Sequence, residues 1–330
     1  MVADMADVCV VGVDLGGTKL LAGSLDGELN VRNRAHRWVS QLSASELLDA
    51  IVDCVEEVRG SLGRPVDAVG FGIPCLIDRS RRVAAVSNHL PLVDVPFADV
   101  MAERLGVPVF VDNDGNAAVL AEARSGSAQG ARDVVMLTIG TGIGGGLFLN
   151  GGVYRGSVGC AADLGHIVIE MDGPPCLGSC RGRGCLEVYV SGPALAKEGE
   201  RMASLSPQSG LAGAIADGHK LTGAIVTELA HDGDLAAIEA VTTVGQRLGI
   251  GLVSIINLLN PEVVVIGGGV IGAGELLLAP AREMVAARAL ALARDVVRIV
   301  PAGFGAEAGV VGAGIMAIER AGSIAAGGAG

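Results

Sequence analysis

The sequence predicts an α/β fold, and three observations point to it. Short β-branched runs alternate with helix-period segments, as when Val8 to Val13 is followed by Ser45 to Arg59 and then by Val66 to Ile73. Twice a strand runs into a glycine turn and straight back into a strand, at Asp14–Lys19 and at Gly140–Gly146, which suggests an internally duplicated architecture. The chain has 330 residues, enough for two domains and a substantial core.

The elements justify themselves in order. Val8 to Val13 is a strand by composition, and Leu20 to Leu25 returns from the Asp14-Leu15-Gly16-Gly17-Thr18-Lys19 turn. The tip of such a hairpin presents backbone N–H groups and a lysine, which can cradle phosphate. A glycine hairpin on its own is a turn, and this one lacks the GxxxxGK[ST] order of a P-loop. Leu47, Leu48, Ile51, Val52, Val55 and Val58 have helical spacing, with Ser43 or Ser45 placed to cap. Val66 to Ile73 reads as a buried strand, Ala98 to Leu105 as a short helix and Pro108 to Val111 as a short strand. That strand delivers Asp112, Asn113, Asp114 and Asn116 before the helix Ala117 to Arg124. Helix capping accounts for one or two such residues. Two Asp and two Asn together, at a strand's C-terminal end where α/β sheets bind ligands, favour a functional site.

Val134 to Ile139 is a strong strand that opens into the run Gly140 to Gly146, and Leu147 to Leu149 continues as strand. The turn leads into a strand and not a helix, so these glycines make no dinucleotide fingerprint. Ser204 to Gly223 reads as a loop or short helix, and Asp234 caps a long amphipathic helix that Pro261 ends. Val263 to Ile266 is a strand, Gly267 to Gly269 a turn, Leu276 to Arg288 the segment it leads into and Val296 to Val300 a last strand. Ala308 to Arg320 is a Gly/Ala-rich helix, followed by a low-complexity tail expected to be disordered.

One short stretch, Asp163 to Glu187, concentrates an acid, a histidine, three cysteines and a second acid. His166, Cys176, Cys180 and Cys185 have the ligand types and number of a closed tetrahedral zinc site, which is structural because no position is left open. Gly178, Gly182 and Gly184 permit the tight turns that fold the segment back on itself, drawing Asp163 and Glu187 toward one place. The alternatives are free or disulfide-bonded cysteines, or a fourth ligand other than His166. Clustered cysteines without a secretion signal make a poor disulfide framework.

Composition narrows the partners. A net charge of −12 argues against nucleic acid and against an anionic membrane surface. The N-terminus lacks the basic start and apolar run of a signal peptide. The most apolar span, Gly249 to Ile271, is broken by Asn257, Asn260, Pro261 and Glu262, so no membrane segment is expected and a cytoplasmic location is.

These pieces, in this order, resemble the ROK family of sugar kinases and repressors over residues 8–320. DLGGTK at Asp14–Lys19 resembles the family's first phosphate loop, NDGNAA at Asn113–Ala118 its catalytic segment and LTIGTGIGGG at Leu137–Gly146 its second phosphate loop. DLGH at Asp163–His166 resembles its ExGH sugar motif, GRGCLE its zinc-and-sugar motif and VIGGGV at Val265–Val270 its adenosine-side turn. Two positions depart from the pattern. Asp163 stands where the family usually has Glu, and Cys176 to Cys180 is two residues longer than the usual CxC spacing, while Cys180 to Cys185 keeps it.

The resemblance implies an actin-like, hexokinase-type ATPase fold of two lobes with an inter-lobe cleft. Residues 1–117 and about 306–330 would form one lobe, and about 118–305 the other. It implies ATP-dependent phosphorylation of a hexose, with glucose first and another hexose or an N-acyl amino sugar as the alternative, and with polyphosphate an open choice of donor. Asp114 falls on the catalytic base, and Asn113, Asp163, His166 and Glu187 on the sugar contacts. Asp14, Gly16, Gly17, Thr18, Lys19, Gly140, Thr141, Gly142 and Gly268 fall on the nucleotide side, Asp14 with Mg²⁺. His166, Cys176, Cys180 and Cys185 fall on the zinc ligands. Family habit implies a homodimer or homotetramer. A sugar-responsive repressor is the rival from another class, disfavoured because the first loop begins at Asp14, which leaves no room for a preceding helix-turn-helix, and because the chain is acidic.

Overall fold

The structure is a computed structural model that describes residues 8–78, 83–87, 90–178 and 180–327. In chain order the first elements are β1 (Val10–Leu15), β2 (Lys19–Leu25), β3 (Val31–Trp38), α1 (Ala44–Gly60), β4 (Ala68–Ile73), β5 (Leu76–Asp78) and β6 (Val83–Val86). Then come α2 (Phe97–Leu105), β7 (Val109–Asn113), α3 (Asp114–Ser125), β8 (Val134–Ile139), β9 (Ile143–Leu149) and β10 (Gly152–Val153). Helices α4 (Glu187–Val190), α5 (Gly192–Leu205), α6 (Gly210–Ala216), α7 (Gly223–His231) and α8 (Leu235–Leu259) follow. The chain closes with β11 (Val263–Gly267), α9 (Glu275–Arg288), α10 (Ala291–Val296), β12 (Arg298–Pro301) and α11 (Ala308–Gly327).

Two five-stranded sheets have the orders β3-β2-β1-β4-β7 and β10-β9-β8-β11-β12. Numbered within its own set, each is third-second-first-fourth-fifth, so the duplication suggested by the two glycine hairpins is a property of the fold. In the first sheet β2 is antiparallel to β1 and to β3, while β4 and β7 run parallel to β1. In the second, β11 runs parallel to both β8 and β12. Parallel strands need crossover helices on their faces.

The chain divides into two compact units: Met1–Arg132 with Gly146–Ala162 and Gly303–Gly330, and Asp133–Gly145 with Asp163–Ala302. The first unit thus runs past residue 117 and takes back the segment 146–162. Helix α3 explains the longer first segment, because it packs against α11 and against β4 and β7.

In the first unit, alternation along the strands divides the labour. Val11, Val13, Val69 and Phe71 join the core with Leu47, Ile51, Val55 and Val58 of α1. Gly12, Gly70 and Gly72 face the other way, where α11 and α3 lie. A Cβ at Gly12 or Gly70 would overlap the carbonyl oxygen of Val310 or Ala313, so α11 rests on bare strand backbone. Overpacking such a contact costs about 1–3 kcal/mol, and each kcal/mol lowers the melting temperature of a domain this size by about 2–4 °C. Gly70→Ala should therefore lower Tm by roughly 3–10 °C. Gly27→Ala, at a position with no atom within 4 Å of the new Cβ, should leave it unchanged. Differential scanning calorimetry of the two variants checks this.

In the second unit α8 is the central helix, packed on α5, α7 and α9. Asp234 caps it by accepting from the Ala237 N–H at 2.8 Å, and it ends at Asn260 in the left-handed region, just before Pro261. Among the described residues it is the one helix long and apolar enough to cross a membrane, and half of its apolar window is buried, as in a core helix.

Several elements depart from the sequence reading. Strand β3 and the β5–β6 hairpin carry no clear apolar alternation and emerge only in the structure. Gly144 to Gly146 belong to β9, leaving a turn of only Gly140 to Gly142. The stretch 204–223, read as a loop or short helix, does hold a short helix, α6. The Ala-rich tail continues α11 to Gly327 instead of being disordered from Ala321, since alanine is the best helix former.

Candidate functional site

In the first unit, three strand ends carry the chemistry. Asp14, Gly72 and Asp112 stand in register across β1, β4 and β7, near the strands' C-terminal ends. Asn113 ends β7 and caps α3, its Oδ1 accepting from the Gly115 N–H at 2.9 Å, while its Nδ2 donates to the Cys75 carbonyl at 3.4 Å. Asp114 opens α3 and also accepts from the Gly115 N–H, at 2.9 Å. Gly72 has no side chain to fill the space in front of α3: a Cβ there would sit 3.5 Å from the Asp114 Cα.

Asp14 and Asp114 are electrostatic neighbours. Burial pushes the Asp14 carboxyl up to about 7, the Asp114 charge adds to the rise and Lys19 opposes it. The Asp14 carboxylate lies against Gly309 in the first turn of α11, in space that any side chain at Gly309 would take. The hairpin before Lys19 is tight, with the Gly16 N–H donating to the Lys19 carbonyl at 2.8 Å. Gly16 and Gly17 are half-buried at its tip, and Thr18 and Lys19 are exposed. Two carboxylates, one of them raised by the other's charge, are oxygen donors of the kind a hard cation such as Mg²⁺ takes.

In the second unit, Gly140, Thr141 and Gly142 form the turn between β8 and β9, with the Gly140 N–H donating to the Gly142 carbonyl at 2.8 Å. Gly268, at φ 87°, follows β11, and a Cβ there would overlap the Ile139 carbonyl, so this turn and the end of β8 are in contact. Glu187 reaches the same loop: its Oε2 accepts from the Ile143 N–H at 2.7 Å.

The ligand atoms of His166, Cys176, Cys180 and Cys185 all lie within 4.8 Å of one another. With metal–ligand bonds of about 2.0–2.3 Å, a tetrahedral site has edges of roughly 3.3–3.8 Å, so the set can close on one ion. The fold-back that gathers it is a small ladder. Val168 bridges Cys185, Pro175 bridges Arg183 and the Cys176 N–H donates to the Gly182 carbonyl at 2.9 Å. Gly178 and Gly184 take the left-handed conformation these turns need, at φ 61° and 63°. All seven cysteines are free of disulfides. Burial pushes the Cys176 thiol up to about 12, with Cys185 and Cys180 adding to the rise, so three thiolates here require a cation. Despite the longer Cys176–Cys180 spacing, Cys176 Sγ sits 3.4 Å from His166 Nδ1. The other ring nitrogen, Nε2, lies 3.7 Å from the exposed Asp163 carboxylate.

Sequence reasoning missed three groups. Arg155 holds buried Asp112 through Nε at 2.6 Å and Nη2 at 2.5 Å, while the other Asp112 oxygen accepts from the Asn113 N–H and Asn116 Nδ2. The only hint of Arg155 is a lone cation after a Gly/Val turn. Glu122 is fully buried and accepts from Ser127 N and Oγ and from the Gly303 and Phe304 N–H groups. An acid inside an Ala-rich helix was the visible signal for it. Gly165 is the third: its missing side chain leaves room for the Ile143 carbonyl, 2.6 Å from where a Cβ would stand.

The chain is similar to known proteins over nearly its whole length. A sequence profile of the ROK family matches residues 10–320. Glucokinase from Streptomyces coelicolor is 33% identical over 313 residues, covering 94% of this chain and 97% of its own. Glucokinase from Thermotoga maritima is 34% identical, covering 96% and 100%. The xylose repressor of Bacillus subtilis is 28% identical over 94% of this chain and 77% of its own length. The crystal structure of a ROK glucokinase from Streptomyces griseus, in complex with glucose and AMPPNP, superposes with a TM-score of 0.82 at 33% identity, covering 94% of this chain and 99% of that one. The fold is the actin-like, hexokinase-type α/β fold, and the chain belongs to the ROK family.

Proposed function

We propose that this chain is a cytoplasmic glucokinase, transferring the γ-phosphoryl group of ATP to a hydroxyl of glucose. The observation that carries the reading is the juxtaposition of Asp14 and Asp114 at the strand ends of one sheet, one carboxyl raised by burial and by the other's charge. Relatives 33% and 34% identical over nearly their full length are glucokinases, and a structural neighbour 33% identical was crystallised with glucose and AMPPNP.

The roles follow from the groups. A sugar hydroxyl is a weak nucleophile until its proton is taken, and Asp114, fixed at the start of α3, takes it. Asn113 has its side-chain oxygen engaged by Gly115 and one amide N–H by the Cys75 carbonyl, and offers the other amide N–H to the sugar. His166 turns Nδ1 to the thiol cluster and keeps Nε2 for a sugar hydroxyl, with Asp163 beside it. Glu187 completes the sugar contacts. The Asp163 side chain is one methylene shorter than the family's usual Glu, so its carboxylate reaches less far toward the sugar.

On the nucleotide side, the turn of Gly16, Gly17, Thr18 and Lys19 would offer backbone, hydroxyl and ammonium groups to phosphate oxygens, and within the second unit Gly140, Thr141, Gly142 and Gly268 would offer backbone groups and a hydroxyl. Phosphoryl transfer depends mainly on such positioning and charge neutralisation. Asp14 would hold Mg²⁺, which when bound supplies positive charge to the phosphate oxygens. His166, Cys176, Cys180 and Cys185 would hold a structural Zn²⁺, which fixes the ring tautomer and the knuckle.

The test is ADP formation from Mg-ATP with glucose, mannose, fructose, N-acetylglucosamine and N-acetylmannosamine. A strong preference for glucose is the expected result. Preference for another sugar replaces the substrate but keeps the class. Sugar binding with no turnover on any of them favours a sensor, in line with the xylose repressors among the relatives.

A further inference from the structure

We infer that Glu187, beyond touching the sugar, is the positioning residue of the second phosphate loop, so that the Cys/His cluster supports nucleotide binding as well as sugar binding. The inference rests on the kinase reading and concerns the second unit alone.

Beyond the Gly140 N–H that donates to the Gly142 carbonyl, the loop Gly140-Thr141-Gly142 depends on its surroundings for its shape. Two of its three residues are glycine, and Thr141 is exposed. Ordering such a loop on binding costs conformational entropy, and a loop already held binds more tightly. Three outside contacts hold this one. The Glu187 carboxylate accepts from the Ile143 N–H at 2.7 Å, a charge-assisted bond, and fills the space that a Cβ at Gly142 would need. Gly165 lies against the Ile143 carbonyl on the other side of that residue. The Gly192 N–H donates to the Gly140 carbonyl at 2.8 Å.

The first two grips lead straight to the thiol cluster. Gly165 precedes His166, and Glu187 follows Cys185 by one intervening residue, Leu186. The two arms are tied to each other where the Leu186 N–H donates to the Ile167 carbonyl at 2.8 Å. The cluster therefore fixes both sides of Ile143 through one or two residues of chain. One carboxylate offers Oε2 to the loop and leaves Oε1 for the sugar.

The test is calorimetric titration of Mg-ADP into the protein with no sugar present, where a role in sugar contact alone moves nothing. Glu187→Asp keeps the charge but withdraws it by a methylene, and it should weaken Mg-ADP binding roughly tenfold or more, the worth of a hydrogen bond to a charged group. Glu187→Gln keeps an acceptor for the Ile143 N–H and should stay within about threefold of wild type for Mg-ADP, while its sugar KM rises. Gly165→Ala, which displaces Ile143 and leaves Glu187 intact, should repeat the loss and carries the comparison should Glu187→Asp not fold. Mg-ADP affinity unchanged in Glu187→Asp or in Gly165→Ala overturns the inference and leaves the kinase reading standing. Wild-type protein that neither binds Mg-ADP nor turns over any sugar removes the kinase reading itself.

Discussion

Asp114→Asn is expected to lower kcat by about 10²–10⁴-fold, the usual worth of a positioned general base, while glucose and Mg-ADP affinities stay within a few-fold. The substitution is nearly isosteric, and the amide oxygen can still accept from the Gly115 N–H as the carboxylate does. The start of α3 should therefore survive, and Asn113 should stay in place as its cap. A second effect has a definite sign. The Asp114 charge is one of the two causes that raise the Asp14 carboxyl to about 7. Removing it lets Asp14 ionise at lower pH and take a cation more readily, so Mg²⁺ binding should strengthen even as turnover collapses. Steady-state kinetics alongside Mg²⁺ titration separates the two. A variant with near wild-type kcat would show that Asp114 is not the base.

Cys185→Ser is expected to lose the bound metal, raise the glucose KM by about 10–100-fold and lower Tm, all together. Cys185 is buried at 1% exposure beside Leu186, which is fully buried, and serine replaces a thiolate ligand with a hydroxyl that binds zinc poorly. The loss should stay local. His166, Asp163 and Glu187 all hang on the ladder that the cluster closes, whereas the first unit's core contains none of these residues. Metal content by atomic emission, set against KM and calorimetry, checks the linkage. Loss of the metal with an unchanged glucose KM in the variant would mean that the cluster is not the support of the sugar site.

Much of this was legible in the sequence because its signals are local. The Cys/His stretch spans two dozen residues, and the ligand types alone predict a cluster whose atoms the fold does gather. The α8 cap at Asp234 and its stop at Pro261 are likewise set by chemistry next to the helix ends. What stayed hidden depends on distant partners. Arg155 and Asp112 are 43 residues apart, and nothing in either neighbourhood announces the other. Strand β3 buries chiefly Val31 and Ala35 among charged residues, as suits an edge strand, so no alternation betrays it. Gly144 to Gly146 read as turn because glycine disfavours strands. They form β9 because the tertiary packing wants bare backbone there: a Cβ at Gly146 would overlap the Gly115 carbonyl. The family pattern implies Glu187 as a sugar contact, but gives no sign of the Ile143 N–H it accepts from, 44 residues away.

The most direct measurement is a ³¹P NMR spectrum of the protein with Mg-ATP and glucose, followed over time. Loss of the γ-phosphate resonance with matching growth of ADP and of a sugar phosphomonoester is the predicted result, and it should vanish in Asp114→Asn. Inorganic phosphate in place of the ester, or an unchanged spectrum in a protein that binds glucose, would contradict the assignment of this chain as a glucose kinase.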